Sequence, residues 1–480
     1  MARARTGSGK TGSFLIPLIH KIIEQKMNAP KQETTALILA PSKELCKQIV
    51  EHIQNLTSLC QRDVRCIDVS PQVPLDAQKP LLADNPDIVV GTPLKILTHI
   101  NEGNLKFMET LQYLIIDEAD LMFAYEHEQD MKAVLKKLPS ICQSFITSAT
   151  MPDDVKQLKT SVLHNPVVLK LEEPPLPPTS QLTHYVIKVQ DFDKAVLLYA
   201  LLRMSLLKGK TLIFVNTVDK GYKLRMFLGQ FGIKACMLNS ELPVNSRCHI
   251  VDQFNRGRYE ILIAADEAAT TANPPEVKAE NTNKRKRKRD RESGVARGID
   301  FQMVANVVNF DFPSTATAYI HRVGRTARAN LSGTALSLVC TFEMDTFSQV
   351  RETLKELMPS SDCVFKDYKF NMASLDGFRY RASDAWKQCT SIAVKDLRKR
   401  ELKMEILHSQ RLKTFFEEHP RDLEILKYDV GGRCLSTQPH LKNVPEYNIP
   451  SALKRVAVIK KKRRANPEQH LRGTSKAKYL

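Results

Sequence analysis

Residues 4–11 read Ala-Arg-Thr-Gly-Ser-Gly-Lys-Thr, a string able to cradle phosphates. Gly7 and Gly9 let successive backbone N–H groups converge on an anion. Ala4, Arg5, Thr6 and Ser8 complete the loop, and the helix that should follow adds the positive end of its dipole. Lys10 is placed to neutralise β- and γ-phosphates, and Thr11 to offer a hydroxyl to Mg2+. Downstream, Asp117-Glu118-Ala119-Asp120 follows the apolar run Tyr113 to Ile116. A carboxylate at the carboxyl end of a buried strand sits where open α/β sheets present their ligands. Asp117 can hold Mg2+ through water, and Glu118 can orient or deprotonate an attacking water. Ser148-Ala149-Thr150 comes next, and His321-Arg322-Val323-Gly324-Arg325-Thr326-Ala327-Arg328 closes the series. Arg325 and Arg328 are three apart, so both project from one face of a helical turn. In this order the motifs describe hydrolysis of a nucleoside triphosphate, with arginine fingers supplied from a second segment. A nucleotide bridging two segments must favour their closed arrangement, and hydrolysis must relax it.

The elements that position these groups are short β-branched runs alternating with helical patterns. Leu37-Ile38-Leu39, Ile88-Val89-Val90, Tyr113 to Ile116 and Ser144-Phe145-Ile146 read as one set of buried strands. Leu212 to Val215, Ile261-Leu262-Ile263, Val307-Val308 and Ala335 to Val339 read as a second. Alternation of this kind implies two α/β domains with parallel sheets. The Pro-rich stretch Glu172 to Pro178 is a stiff extended linker by composition. The expected boundaries are 1–172 for the first domain, 173–182 for the linker and 183–358 for the second domain. A polar, Lys- and Asn-rich loop at 267–293 interrupts the second domain and reads as disordered. Beyond about Ser360 the βα rhythm is expected to stop. Asp384 to Glu418 carries Trp386, Leu397, Ile406 and Phe415 at helical spacing, which suggests one or two amphipathic helices there, and 359–450 reads as a helical extension. Residues 451–480 read as an unfolded basic tail.

The 480 residues carry a net charge of +18, with 42% hydrophobic content. The charge is concentrated. The last thirty residues hold ten Lys and Arg against one Glu, and residues 284–291 hold seven against one Asp. The rest of the chain is close to neutral, so the basic segments imply a polyanionic partner, nucleic acid before membrane. The clusters Lys284, Arg285, Lys286, Arg287, Lys288, Arg289 and Lys460, Lys461, Lys462, Arg463, Arg464 have the density of nuclear or nucleolar localisation signals. The ten cysteines show no CxxC pair, which suits free thiols in a reducing compartment. No run reaches the roughly 18 apolar residues of a membrane span, and Phe14 to Ile23 is not a signal peptide because it follows the phosphate loop.

The motif series resembles the DEAD-box ATP-dependent RNA helicases over roughly residues 1–358. The resemblance implies two tandem RecA-like domains, with ATP and Mg2+ as cofactors and RNA as partner. It adds Asp300 to the ATP site, and makes Asp120, Ser148, Thr150 and His321 couple the domains. It assigns RNA gripping to Pro41, Lys43, Glu44, Gly91, Thr92, Pro93 and Lys95 of the first domain, and to Asn216, Thr217, Arg247, Arg297 and Gly298 of the second. Gripping by small residues, hydroxyls and loop N–H groups gives little base selectivity, and 2′-OH contacts distinguish RNA from DNA.

The chain departs from the family pattern at several places. Lys95 stands where arginine is usual, Val244 replaces a glutamine and Asn239-Ser240 replaces His-Gly. A pair of glycines between the two first-domain RNA motifs is missing. The motif containing Arg297-Gly298-Ile299-Asp300 starts at Ala265-Asp266 and is split by the basic loop. The family's upstream segment, with an adenine-reading glutamine and a strand feeding the phosphate loop, has no counterpart before Ala4. A strand takes about five residues, so the first sheet is expected to lack an interior strand. The chain then reads as N-terminally truncated, either incomplete or weakened in ATP affinity and stability. The split motif, with Gly377 to Arg381, Pro420 to Leu423 and Val444 to Tyr447, is similar to the nucleolar members that assemble the large ribosomal subunit. That likeness implies pre-ribosomal RNA as substrate and pre-ribosomal particle proteins as partners. A catalytically weak RNA-binding scaffold is the alternative reading.

Overall fold

The computed structural model describes residues 2–3, 9–28, 32–60, 63–71, 73–124, 127–139, 141–148, 163, 166–170, 176–266, 301–328, 331–357, 365–370 and 375–428. Its strands form two seven-stranded sheets in which every pairing is parallel. The first contains β1 (Ala2–Arg3), β2 (Ala36–Leu39), β3 (Cys66–Asp68), β4 (Ile88–Gly91), β5 (Tyr113–Ile116), β6 (Gln143–Ser148) and β7 (Leu169–Lys170), in the order β3-β4-β2-β5-β6-β1-β7. Its helices are α1 (Lys10–Asn28), α2 (Lys43–Leu56), α3 (Leu75–Ala83), α4 (Pro93–Asn101), α5 (Ala119–Ala124) and α6 (Glu128–Leu135).

β2 and β4 are buried along their whole length, as strands covered on both faces must be. Side chains alternate between two cores. Ala36 and Ile38 meet Leu15 of α1 and Ile49 of α2, whereas Leu37 and Leu39 meet Ile96 of α4 and Met131 of α6. α2 lays Leu45, Cys46, Ile49 and Ile53 against its sheet, and Ser42 caps its first turn by accepting a bond from the Leu45 N–H at 3.3 Å. α1 follows the phosphate loop as expected and runs on through Pro17.

The first sheet does not lack an interior strand. Ala2 and Arg3 pair with Thr147 and Ser148 of β6 on one side and with Leu169 and Lys170 of β7 on the other. A strand hydrogen-bonded on both edges can persist at two residues, because its neighbours already hold the conformation.

The second sheet contains β8 (Leu182–Lys188), β9 (Lys210–Val215), β10 (Ala235–Leu238), β11 (Ile261–Ala265), β12 (Val304–Asn309), β13 (Gly333–Val339) and β14 (Phe365–Asp367), in the order β10-β11-β9-β12-β13-β8-β14. Its helices are α7 (Asp191–Arg203), α8 (Val218–Gln230), α9 (Val244–Asn255), α10 (Ala316–Val323) and α11 (Met344–Leu357). β14 extends the sheet past the point where the βα rhythm was expected to stop. Leu176, inside the expected linker, is fully buried in the core formed by Leu182, Tyr319 and Phe347.

Among the described residues four helices follow, α12 (Asp376–Gln388), α13 (Ser391–His408), α14 (Gln410–Glu418) and α15 (Pro420–Tyr428), and three of them, rather than one or two, fall wholly or partly within 384–418. α12 belongs to the second domain's core. It buries Phe378, Ala382 and Ala385 with Tyr199 and Phe231, and the Phe378 ring sits edge-on to Tyr199 at 5.9 Å. Burying one such ring contributes about 2 kcal/mol. Trp386 packs edge-on to Phe227 and takes the Lys223 ammonium over its face at 4.4 Å. Ile406 and Phe415, two of the apolar positions at helical spacing, are partly exposed. Among the described residues no helix is long and apolar enough to cross a membrane.

Candidate nucleotide site and RNA track

Asp117 leaves the carboxyl end of β5 with its N–H bonded to Leu39 O at 3.0 Å, so the strand ladder itself aims the carboxylate. The next strand supplies a tether. Ile116 pairs with Ile146, which brings Thr147 beside Asp117, and the Thr147 hydroxyl donates to Asp117 Oδ1. The Glu118 N–H donates to Asp117 Oδ1 and to Thr147 Oγ1, each at 3.1 Å. Glu118 adopts φ +48°, a left-handed conformation that non-glycine residues rarely take. These bonds hold it there.

Lys10 opens α1 directly after Gly9, whose φ of +86° suits glycine and whose missing side chain leaves open space. The Lys10 ammonium is buried and has no hydrogen-bond partner among the described residues. A buried, unbonded ammonium facing carboxylates fits a site shaped for phosphate oxygens. Burial pushes the Asp117 carboxyl up, opposed by the Thr147 hydroxyl and the Lys10 charge. Burial also pushes Glu118 up, opposed by Lys10 and, from the second domain, by Arg325. Asp120, in the first turn of α5, adds its charge to both. Residues from three segments distant in sequence, Lys10, the Asp117-Glu118-Asp120 group and Arg325, therefore share one electrostatic neighbourhood. A carboxylate with a raised pKa is the better proton acceptor for water.

The arginine turn grows from α10. Thr315 caps that helix by accepting from the Ala318 N–H at 3.1 Å, and Tyr319 anchors it in the core. His321 is nearly buried and its carbonyl accepts from Arg325 Nε at 3.2 Å. Arg328 Nε donates to Gly324 O at 3.0 Å. The turn lies directly on Gly333, where an added Cβ would stand 2.8 Å from the Ala327 nitrogen. Arg322, quoted in the motif without a role, is a clasp. Its guanidinium binds Asp266 Oδ2 at 3.1 Å, Asp311 O at 2.9 Å and Asn216 Oδ1 at 2.9 Å, and lies over the Phe214 ring.

The described residues read as an RNA track sit at or just beyond strand-to-helix junctions along the carboxyl edges of both sheets. Pro41 precedes the N-terminus of α2, Gly91-Thr92-Pro93 opens α4, and Thr217 caps α8 by accepting from the Lys220 N–H at 3.3 Å. Helix N-termini present unbonded N–H groups, which is how phosphates are gripped without reading bases. Pro41, Lys43, Glu44, Gly91, Thr92 and Pro93 are buried and Lys95 is half-buried. Glu44 is engaged by Arg247, the two forming an ion pair across the domains at 2.5 Å. Asn216 is bonded internally: its N–H donates to Asp311 Oδ2 at 3.0 Å and its amide to Phe312 O at 3.3 Å. Ser148 ends β6, fully buried. Ala4, Arg5, Thr6, Gly7, Ser8, Thr150, Arg297, Gly298, Asp300 and both basic clusters lie outside the described residues.

Thr147 and Arg322 were missed as functional positions. The signal for Thr147 was its place just before Ser148-Ala149-Thr150 on the strand next to β5. Arg322 had no sequence signal separating it from Arg325.

The DEAD/DEAH box helicase family matches residues 1–158, and the helicase conserved C-terminal domain matches residues 193–330. The chain is similar to the ATP-dependent RNA helicase dbp9 of Aspergillus oryzae, 39% identical over 94% of this chain and 79% of that protein. It is similar to DBP9 of Saccharomyces cerevisiae, 38% identical over 94% and 83%, and to dbp9 of Schizosaccharomyces pombe, 38% identical over 95% and 84%. Its fold is like that of Mss116p bound to ssRNA and AMP-PNP, with a TM-score of 0.63 and 21% identity over 86% of this chain and 78% of that one. It is also like that of Saccharomyces cerevisiae Dbp5 bound to RNA and ADP BeF3, with a TM-score of 0.59 and 22% identity over 80% and 88%. With these relatives matched over nearly its whole length, and a buried lysine and paired carboxylates facing an arginine of the second domain, the chain belongs to the DEAD-box ATP-dependent RNA helicases.

Proposed function

We propose that the protein couples ATP hydrolysis between its two domains to local remodelling of structured RNA in pre-ribosomal particles of the large subunit, in the nucleolus. The observation that carries the ATP chemistry is Glu118, which lies within the field of Lys10 on its own domain and Arg325 on the other. Glu118 takes a proton from water as the water oxygen attacks the γ-phosphorus and the bridging oxygen leaves with ADP. Lys10 and Arg325 meet the charge that develops, each from one side of the cleft. Thr11 and Asp117 are the residues that would hold Mg2+. The ion supplies charge neutralisation to the phosphates when bound. Thr147 keeps Asp117 in place throughout.

Closure is the mechanical step. Arg325 reaches the nucleotide from a domain that also touches the first domain through Arg247 and Glu44. ATP therefore favours the apposed arrangement, and loss of the γ-phosphate removes one of its two attachments. A strand gripped along both domains would be bent on closure and released on opening. The ribosomal setting is supported by the similarity of the split motif and C-terminal segments to nucleolar assembly helicases, and by the basic clusters at 284–289 and 460–464.

The test is ATP turnover with and without RNA for the wild type and Glu118→Gln, alongside complementation of a depleted strain with particle composition as readout. Loss of both turnover and large-subunit assembly in Glu118→Gln is expected. Full assembly by that variant would replace the enzyme reading with an RNA-binding scaffold. Equal stimulation by DNA would overturn the RNA assignment.

A further inference from the structure

α13 of the helical extension reaches every segment of the second domain assigned to RNA that the structure describes. Arg398 Nη1 donates to Asp219 Oδ1 at 2.5 Å, two residues beyond Thr217. Its Nη2 donates to both oxygens of Glu241 at 2.5 and 2.6 Å, next to Ser240. The guanidinium also lies over the Tyr222 ring, 6.0 Å from its centroid. One turn along, Glu401 Oε2 accepts from the Tyr222 hydroxyl at 2.7 Å, and that hydroxyl accepts from Asn239 Nδ2 at 3.1 Å. A turn further, Glu405 accepts from the Ser246 hydroxyl at 2.7 Å, beside Arg247. Positions 398, 401 and 405 share one helical face. Asn239-Ser240, where this chain departs from the usual His-Gly, is the loop held most directly.

An isolated exposed ion pair contributes little. This arrangement differs because one guanidinium ties two carboxylates carried by different segments, in a fork geometry that fixes their separation. Loops already ordered before binding lose less entropy when they grip a strand.

We propose that α13 is a brace that sets the mutual spacing of the β9–α8 junction, the Asn239-Ser240 loop and α9, with Arg398, Tyr222 and Glu401 as positioning residues for RNA engagement. The proposal rests on the reading of those segments as the RNA track. The brace touches no RNA and lies outside the nucleotide site, so it acts on RNA affinity and leaves ATP handling alone.

The experiment uses the full chain and a single-stranded oligonucleotide. It measures the RNA concentration giving half-maximal ATPase stimulation, the ATP KM and turnover at saturating RNA, and the thermal midpoint. Arg398→Ala and Tyr222→Phe should each raise the half-stimulating RNA concentration roughly three- to tenfold, the scale of one lost hydrogen-bonded contact. ATP KM and saturated turnover should stay within about twofold. Tyr222→Phe keeps the buried ring, so it carries the test if Arg398→Ala does not fold. Lys95→Ala in the first domain is the control for the track. If Lys95→Ala weakens RNA stimulation while both brace variants leave it unchanged, the brace is overturned and the track stands. If all three leave it unchanged, both readings fall. A lowered thermal midpoint with unaltered RNA dependence would reduce the contacts to simple stabilisation and also overturn the proposal.

Discussion

The Glu44 carboxylate and the Arg247 guanidinium lie 2.5 Å apart, one on each domain, with side chains 3% and 1% exposed. Both were read as RNA contacts, and the structure joins them to each other. Their exclusion from water means that neither charge is comfortable alone: removing one partner of a buried pair costs about 3–5 kcal/mol. That cost falls on the apposed arrangement, because only there do the two meet. Glu44→Ala should lower RNA-stimulated turnover by about two to three orders of magnitude. The charge exchange Glu44→Arg with Arg247→Glu should recover part of the loss. Turnover assays on the two variants check this, and equal activity in Glu44→Ala would remove the pair from the closing step.

Thr147 should matter to chemistry more than to folding. Its hydroxyl holds Asp117 and receives the Glu118 N–H, and outer partners of this kind typically affect activity by about 10–100-fold. Thr147→Val, nearly isosteric, should lower saturated turnover by that factor, whereas Thr147→Ser should restore most of it. Stopped assays at saturating ATP and RNA measure both.

Arg322 and Arg325 lie three positions apart in the motif and should fail differently. Arg322 is tied by three hydrogen bonds within the second domain, so Arg322→Lys should lower unfolding free energy by about 2–4 kcal/mol. Arg325→Lys keeps the charge but loses the planar fork. It should change stability by less than about 1 kcal/mol and turnover by about 10³-fold. Urea unfolding beside ATPase assays separates the two, and the reverse pattern would exchange their roles.

His184 predicts an acid limb in stability. Burial holds its imidazole down to about 4, and Nδ1 lies 2.8 Å from the Tyr319 hydroxyl under α10. The unfolded value is about 6.5. Because the folded value is depressed, the unfolded chain binds the proton first. The contribution is complete above pH 6.5 and is lost as pH falls toward 4. Between pH 7 and pH 5 this residue alone should remove about 2 kcal/mol. His184→Gln should flatten that part of the profile in urea titrations at the two pH values.

Much of the local organisation could be read from residue order because its causes are local. Continuous apolar runs such as Leu37 to Leu39 mark strands covered on both faces. The polar residues Ser42, Thr92 and Thr217 mark helix starts, and Asp117 follows its strand directly. Glycines at the phosphate loop announce an anion whatever surrounds them.

Tertiary structure decided the rest, wherever the partner lies far along the chain. β1 exists at two residues because β6 and β7 bond both its edges, so length alone misjudged it. β14 joins an edge offered by β8, and Leu176 finds a core that no linker composition foretells. Thr147 reaches Asp117 through strand register, Arg322 becomes a clasp through Asp266 and Asn216, and α13 meets the first turn of α8, the loop after β10 and α9 on another part of the domain. Propensity and pattern act over a few residues, whereas these contacts depend on where whole elements come to rest.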